Sequence, residues 1–529
     1  MTDVPPPIPV ETPYDEVPYE SSSFPQSHPD RLATLGTLFG LDPAPVDRCR
    51  VLELGCAAGA NLLPMAFHLP GSEFVGVDAS GRQVAEAHAV ARRLELENVR
   101  IEHASILDVD AGWGEFDYLI CHGVFAWVPE AVQEKILAIA AENLRPHGIA
   151  FISYNTYPGW HVREAVRHMM LYHADRFPDV PERIGQARAL LEFLAENVDA
   201  ESYYGAALES ELKLVNRVRD SYLFHDHLEE VNMPLYFHEF VARASRQGLR
   251  YLAEADFATM LTSGFPASTA ETLHRISPDL VHAEQYMDFL RNRFFRQTLL
   301  CDARLELERE LDGSSLAGLL LASLVVPEDP SEEEDPPSEG LPAFKTPDGR
   351  RVTTSFPLTH AVLEVLAEQW PRALDQDTLR ALACERLDGA LDLPLEEAWE
   401  VVLGDMLHCY SQGAVELRTW QAPCENRVGE RPRVSNLVAE QVRTTEVVTN
   451  QLHMPVRLDA ASKCLVPMLD GTRDRAALLA GLVDCVARGE LNVTEDGREV
   501  TDQEVLRAGL GEALNGALKS FARAGLLVG

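Results

Sequence analysis

No stretch of this 529-residue chain is long and apolar enough to span a bilayer. The longest largely apolar run, 316–326, falls well short of the ~18 residues a spanning helix needs. The opening MTDVPPPIPVETP has neither a basic start nor an apolar core, so no secretory signal is expected. The nine cysteines are scattered without a C-x-x-C pair. That argues against a metal site and a disulfide framework, and fits reduced thiols in a cytoplasm. Positive charge is scarce: 46 Lys+Arg stand against 83 Asp+Glu, a net of −37, and five of the basic residues are lysine. Such a surface repels phosphate backbones and anionic membranes, so nucleic acid is not expected as a partner. Residues 341–529 are themselves acidic, with 20 Lys+Arg against 28 Asp+Glu.

What is present is ordinary globular material. Hydrophobic residues make up 46% and charged residues 24%, and the length suggests three or four domains at ~100–200 residues each. Between residues 50 and 155, short apolar runs (RVLEL, EFVGV, VRIEH, DYLIC, IAFISY) alternate with helical spacing. That alternation predicts a Rossmann-like, doubly wound α/β sheet covered on both faces. A helix and the strand RYLAEA at 250–255 are expected to close it, giving a first domain at 1–258 with 159–221 as a helical insertion. A helical middle region at 222–312 overlaps the sheet-closing unit, and 267–312 reads as helical. Residues 327–340, with four Pro and seven acidic residues, read as a solvated linker. Three helices and a strand at 341–425 predict a winged-helix-like domain. Residues 430–529 read as a further α/β domain.

The sharpest motif is VLELGCAAGAN at 51–61, a buried strand running into a glycine turn. Gly55 and Gly59 permit a tight turn and close backbone approach to a ligand. Ala57 occupies the middle glycine position of a dinucleotide fingerprint, and Glu53 on the strand suits a cationic ligand better than a pyrophosphate. Asp78, ending the next strand in GVDAS and followed by Ala79, stands where a carboxylate accepts hydrogen bonds from ribose hydroxyls.

These residues resemble the first motif and ribose acid of the class I S-adenosylmethionine (SAM) methyltransferases. The resemblance implies SAM as cofactor. It places Ser105 where the family often has an adenine-contacting Asp, with Ile106 against the ring, and His122 and Gly123 beside the methionine part. Asp108 reads as a turn residue and Trp127 as packing. The further segments SYNTYPGWH, YFHEFVARASRQGLRYLAEADF and EQYMDFLRNRFFRQTLL extend the resemblance over nearly the whole chain. They are similar to bacterial methyltransferases with a methyltransferase regulatory domain and a C-terminal winged-helix-like domain, a group that includes rickettsial protein-lysine methyltransferases. A protein amine, lysine, is the acceptor this implies. A small-molecule N- or O-methyltransferase and a non-catalytic SAM-binding regulator or scaffold remain open alternatives. At the end of the fifth strand, Tyr154 and Asn155 are the candidate acceptor-site residues, with His161 as candidate base. Tyr14 and Tyr19 are candidates to cover the cofactor, and the helical insertion could pair two subunits as a homodimer.

Overall fold

The computed structural model describes residue 17 and residues 22–328, 343–387, 391–495, 498–500 and 502–529. Tyr14, Tyr19 and most of the expected linker, from residue 329 on, lie outside them. Seven strands form the central sheet: β1 (Arg50–Leu54), β2 (Glu73–Asp78), β3 (Val99–His103), β4 (Phe116–Cys121), β5 (Leu144–Asn155), β6 (Leu249–Glu254) and β7 (Phe295–Asp302). Their order is β3-β2-β1-β4-β5-β7-β6, with β7 antiparallel to both neighbours and the first five parallel.

The residues of each strand divide between two cores because successive side chains point to opposite faces. Val51, Tyr118, Ile120, Ile149 and Phe151 face one core, and Leu52, Leu54, Leu119, Ala150 and Ile152 face the other. The first core continues without a break into residues 316–417, so the helices Pro357–Gln369 and Leu395–Ser411 share apolar packing with the sheet. The region 430–529 has its own core around Leu478, Leu510 and Leu518. The helices Trp160–Ala174, Val180–Asn197, Tyr203–Val215 and Asp220–His227 bury a fourth cluster of their own.

One expectation is corrected here. Residues 267–312 are not helical throughout: after the helices Ala267–Ile276 and Leu280–Arg291 the chain forms β7, which inserts between β5 and β6. The sheet therefore does not close at residue 258 but runs to Asp302. Asn292, with φ +48°, stops the second helix and turns the chain into β7.

Candidate active site

The carboxyl ends of β1 through β5 open into one cavity of about 500 Å³, the place where open α/β sheets bind ligands. Gly55, φ +74°, begins the turn after β1, and a Cβ there would lie 2.5 Å from Val124 Cγ2. Its N–H and that of Cys56 donate to the Val77 carbonyl, at 2.8 and 3.1 Å, which fastens the turn to β2. Ala57 sits at φ +49°, a conformation costing a non-glycine residue roughly 1–2 kcal/mol. Its N–H donates to Asp78 Oδ2 at 2.8 Å, while Asp78 Oδ1 accepts from the Ser80 N–H at 2.8 Å. Asp78 thus ties the turn to the start of the next helix, and with Ala79 it faces the cavity. Gly59 does not line the cavity. At φ +75°, its missing Cβ leaves room for Leu63, which a Cβ would meet at 2.9 Å.

Glu53 is buried at the cavity wall, and burial pushes its carboxyl up to about 8, with Asp78 adding like-charge repulsion. Oε1 accepts a 2.7 Å hydrogen bond from Asn61 Nδ2, whereas Oε2 is buried and has no partner among the described residues. His122 lies beneath the ring of Phe24, centroids 3.8 Å apart, and burial lowers its imidazole to about 4, so it is neutral. Its Nδ1 is likewise buried without a partner among the described residues. Gly123 donates its N–H to Ser153 Oγ at 2.8 Å. Ser105 and Ile106 line the cavity. The Ser105 hydroxyl accepts from the Leu107 N–H, and the Asp108 carboxylate accepts from the Ser105 N–H, so Asp108 does serve the turn. Gln83, which the motif reading missed, also lines the cavity, and both of its buried side-chain polar atoms lack a partner among the described residues. Unpartnered buried polar groups cost ~1–3 kcal/mol each. Glu53, Gln83 and His122, all facing one cavity, mark it as built for a polar ligand, and the residues present fit SAM.

The rest of the wall comes from the turn after β4, from β5, from the start of β7 and from the helices between Trp160 and His227. Asn155 donates from Nδ2 to Asn232 Oδ1 at 3.1 Å. Trp127 and Trp160 meet edge to face at 5.8 Å, and the Arg163 guanidinium lies over Trp160 and Phe294 while donating to Glu211 Oε1 at 3.0 Å. Tyr222 and Asp226, one turn apart on Asp220–His227, complete the wall. Burial pushes the Asp226 carboxyl above its usual range, opposed by a hydrogen bond from Tyr222 and by nearby His227 and Arg163. No spacing in the sequence connects these residues to the glycine turn.

Two acceptor-site expectations are corrected. Tyr154 turns away from the cavity, because alternation along β5 places it on the face opposite Asn155. It is buried against Phe240, rings stacked at 4.2 Å, with its hydroxyl 3.1 Å from Thr298 Oγ1. His161 is exposed outside the cavity, stacked on Tyr157 at 4.0 Å and 3.1 Å from the Tyr236 hydroxyl. It is not among the residues that line the cavity.

The strand order, the glycine turn and the acid ending β2 define a class I SAM-dependent methyltransferase. Family models agree: a methyltransferase domain matches residues 51–148, a predicted methyltransferase regulatory domain matches 219–302, and a PKMT C-terminal winged helix domain matches 430–526. The winged-helix match falls beyond the 341–425 segment in which the sequence pattern places that shape. An uncharacterised protein of Rickettsia prowazekii is 36% identical over 522 residues, covering 98% of this chain and 94% of the relative. A second from the same organism is 40% identical over 240 residues, covering 45% of this chain and 96% of that protein. The structure of PKMT2 from Rickettsia typhi in complex with AdoHcy superposes with a TM-score of 0.86 at 30% identity, covering 97% of this chain and 100% of that one. The chain belongs to this family of methyltransferases with a regulatory domain and a PKMT-type winged-helix domain, and its cofactor is SAM.

Proposed function

We propose that the chain methylates a protein amine, with lysine as the acceptor. The observation that carries this is the cavity lining beyond the glycine turn, where the half-buried carboxylate of Asp226 joins Trp127, Trp160 and Phe294. An aromatic, water-poor wall favours the neutral amine over the ammonium. A carboxylate raised by burial is suited to take the proton that the amine must lose. The −37 net charge also favours the approach of lysine-bearing segments.

In this reading Asp78 holds the ribose hydroxyls, Glu53 faces the methionine ammonium, and Ser105, Ile106 and Gln83 border the adenine. SAM, when bound, supplies an electrophilic methyl carbon on a sulfonium. Asp226 accepts the proton from the lysine Nζ, Asn155 orients that nitrogen, and the freed lone pair forms the C–N bond as the C–S bond breaks. Trp127 and Trp160 keep water from the line of attack, and positioning supplies most of the acceleration.

The test is methylation of lysate proteins by the purified full chain with tritiated SAM, followed by acid hydrolysis. Label is expected in Nε-methyl-lysine, and label confined to small molecules would overturn the reading. Asp226→Asn should lower kcat on that acceptor by about 10²–10⁴-fold while leaving AdoHcy affinity within about twofold of the parent.

A second outcome follows from Glu53. With its carboxyl at about 8, Glu53 carries a proton in most molecules at pH 7. A ligand ammonium at Oε2 favours the charged form and expels that proton. Calorimetry of AdoHcy binding at pH 7, in buffers of differing ionisation enthalpy, should report release of about one proton per ligand. Glu53→Gln should abolish the release. A parent protein that releases none would remove Glu53 from the ammonium site.

A further inference from the structure

Asn61, immediately after the glycine turn, is the junction of four hydrogen bonds that the cofactor reading leaves unused. Its Nδ2 donates to Glu53 Oε1 at 2.7 Å and to Ser27 Oγ at 3.0 Å. Its Oδ1 accepts from the Phe24 N–H at 2.9 Å and faces His453 Nε2 at 2.8 Å. The amide orientation is set by the Phe24 N–H, which can only donate and so requires the amide oxygen on its side. His453 must therefore present Nε2–H, and its tautomer is fixed as neutral with the proton on that nitrogen.

His453 comes from the C-terminal domain, 392 residues along the chain from Asn61. It sits at φ +61° in the tight connection between the paired strands Val447–Thr449 and Pro455–Arg457. That loop is held rigidly. Asn450 Oδ1 accepts from the N–H groups of Leu452 and Met454, at 2.9 and 2.7 Å, Asn450 Nδ2 donates to the Ala524 carbonyl at 2.7 Å, and the Gln451 N–H donates to the Gly525 carbonyl at 3.0 Å. The imidazole is wholly buried, 5.1 Å from the ring of His28. A rigid loop thus delivers one donor to the amide that orients Glu53 and fixes Phe24, the ring lying on His122.

We propose that His453 is a positioning residue for cofactor binding, through which the C-terminal domain holds Asn61, and with it Glu53 and Phe24, in the arrangement that receives SAM. The proposal rests on the reading that Glu53 faces the methionine ammonium. Binding linkage then works in both directions: docking of the 447–457 loop raises cofactor affinity, and the cofactor tightens the docking by the same factor.

The experiment is calorimetric titration of AdoHcy into the full-length protein and four variants. His453→Leu should weaken binding roughly tenfold, the worth of one donor lost from a buried network. His453→Gln, whose amide can donate from a similar position, should stay within about threefold of the parent. Arg93→Ala removes the Arg93–Glu440 contact, which joins the same two domains at the surface away from the cavity. It should leave affinity unchanged, as general domain docking would not. Glu53→Gln should itself weaken AdoHcy binding, and in that background His453→Leu should cost little more. Unchanged affinity in Glu53→Gln would refute the ammonium reading. Weakened binding in Glu53→Gln with none in His453→Leu, or His453→Gln no better than His453→Leu, would overturn the role of His453 alone. Hydrogen exchange on the parent protein needs no variant: AdoHcy should slow exchange of the 447–457 amides, and an unchanged rate would overturn the proposal.

Discussion

Asp78→Ala is expected to weaken AdoHcy binding about 100-fold, measured by calorimetry at neutral pH. The carboxylate has two tasks that fail together. It faces the cavity where it can accept from both ribose hydroxyls, and hydrogen bonds to a charged acceptor are worth ~1.5–3 kcal/mol. It also accepts the Ala57 and Ser80 N–H groups and so holds Ala57 at its positive φ. Without it the turn loses the bond that compensates for that conformation, and the floor of the cofactor site relaxes. Together these losses come to about 3 kcal/mol, a factor near 100. Asp78→Asn retains the shape and one acceptor oxygen but no charge, and an intermediate loss of about tenfold is expected. Unchanged affinity in Asp78→Ala would remove the ribose assignment.

Arg296→Met should be the most damaging single change to stability. The guanidinium is fully buried and donates to Asp288 at 2.8 Å from both Nε and Nη2, to Glu254 Oε1 at 2.7 Å and to Glu284 Oε2 at 3.0 Å. It also lies 3.8 Å from the centre of the Phe237 ring. Removing it leaves three buried carboxylates without their common cation, and breaking such a set costs ~3–5 kcal/mol. For a unit of this size that corresponds to a fall of roughly 10 °C in the thermal midpoint of the sheet domain. The pH dependence gives the effect a signature. Burial already raises the Glu284 and Asp288 carboxyls against the pull of Arg296, and without the arginine they rise further. A folded-state pKa above the unfolded one contributes stability at low pH that is lost as pH rises. The deficit of the variant should therefore be larger at pH 8 than at pH 5.5, and a deficit independent of pH would contradict this account. Arg296 is the cross-strand partner of Tyr154, next to the Asn155–Phe295 pair at the cavity, so AdoHcy-bound protein should show the same loss.

The first five strands and β6 were legible because each is a short apolar run bounded by turn residues. β7 was not. FRQTLLCD follows the helical pattern of EQYMDFLR without a glycine or proline, and its arginine is buried by partners from β6 and the preceding helix that no local pattern reveals. The one local signal was Asn292 in a left-handed conformation at the helix end. At the site, Glu53, Asp78 and the glycine turn were legible because they lie within 26 residues and the turn geometry dictates their types. Gln83 and Asn61 lack such a constraint, since any polar residue fits the spacing. Asp226, Tyr222 and Phe294 reach the cavity only through the folding of the insertion and the late strand. Tyr154 was misassigned by a single step in strand alternation, which sends neighbouring side chains to opposite sides of a sheet.

The segment at 22–38 has a consequence for how the protein is made. Its Ser23 pairs with Thr449, its Asp30 carboxylate accepts from the N–H groups of Thr419 and Trp420, and its Phe24 shares Asn61 with His453. The beginning of the chain is thus completed by residues that a ribosome delivers nearly 400 positions later. At ~5–20 residues per second, that interval is about 20–80 s. Throughout it, Asn61 lacks the His453 donor, and apolar side chains such as Leu32 and Leu35, which share a core with residues 316–417, lack part of their cover. Newly made chains should therefore depend on chaperones during elongation more than a self-contained sheet domain would, and premature termination anywhere before residue 453 should yield a product that is recognised and degraded rather than a smaller working enzyme.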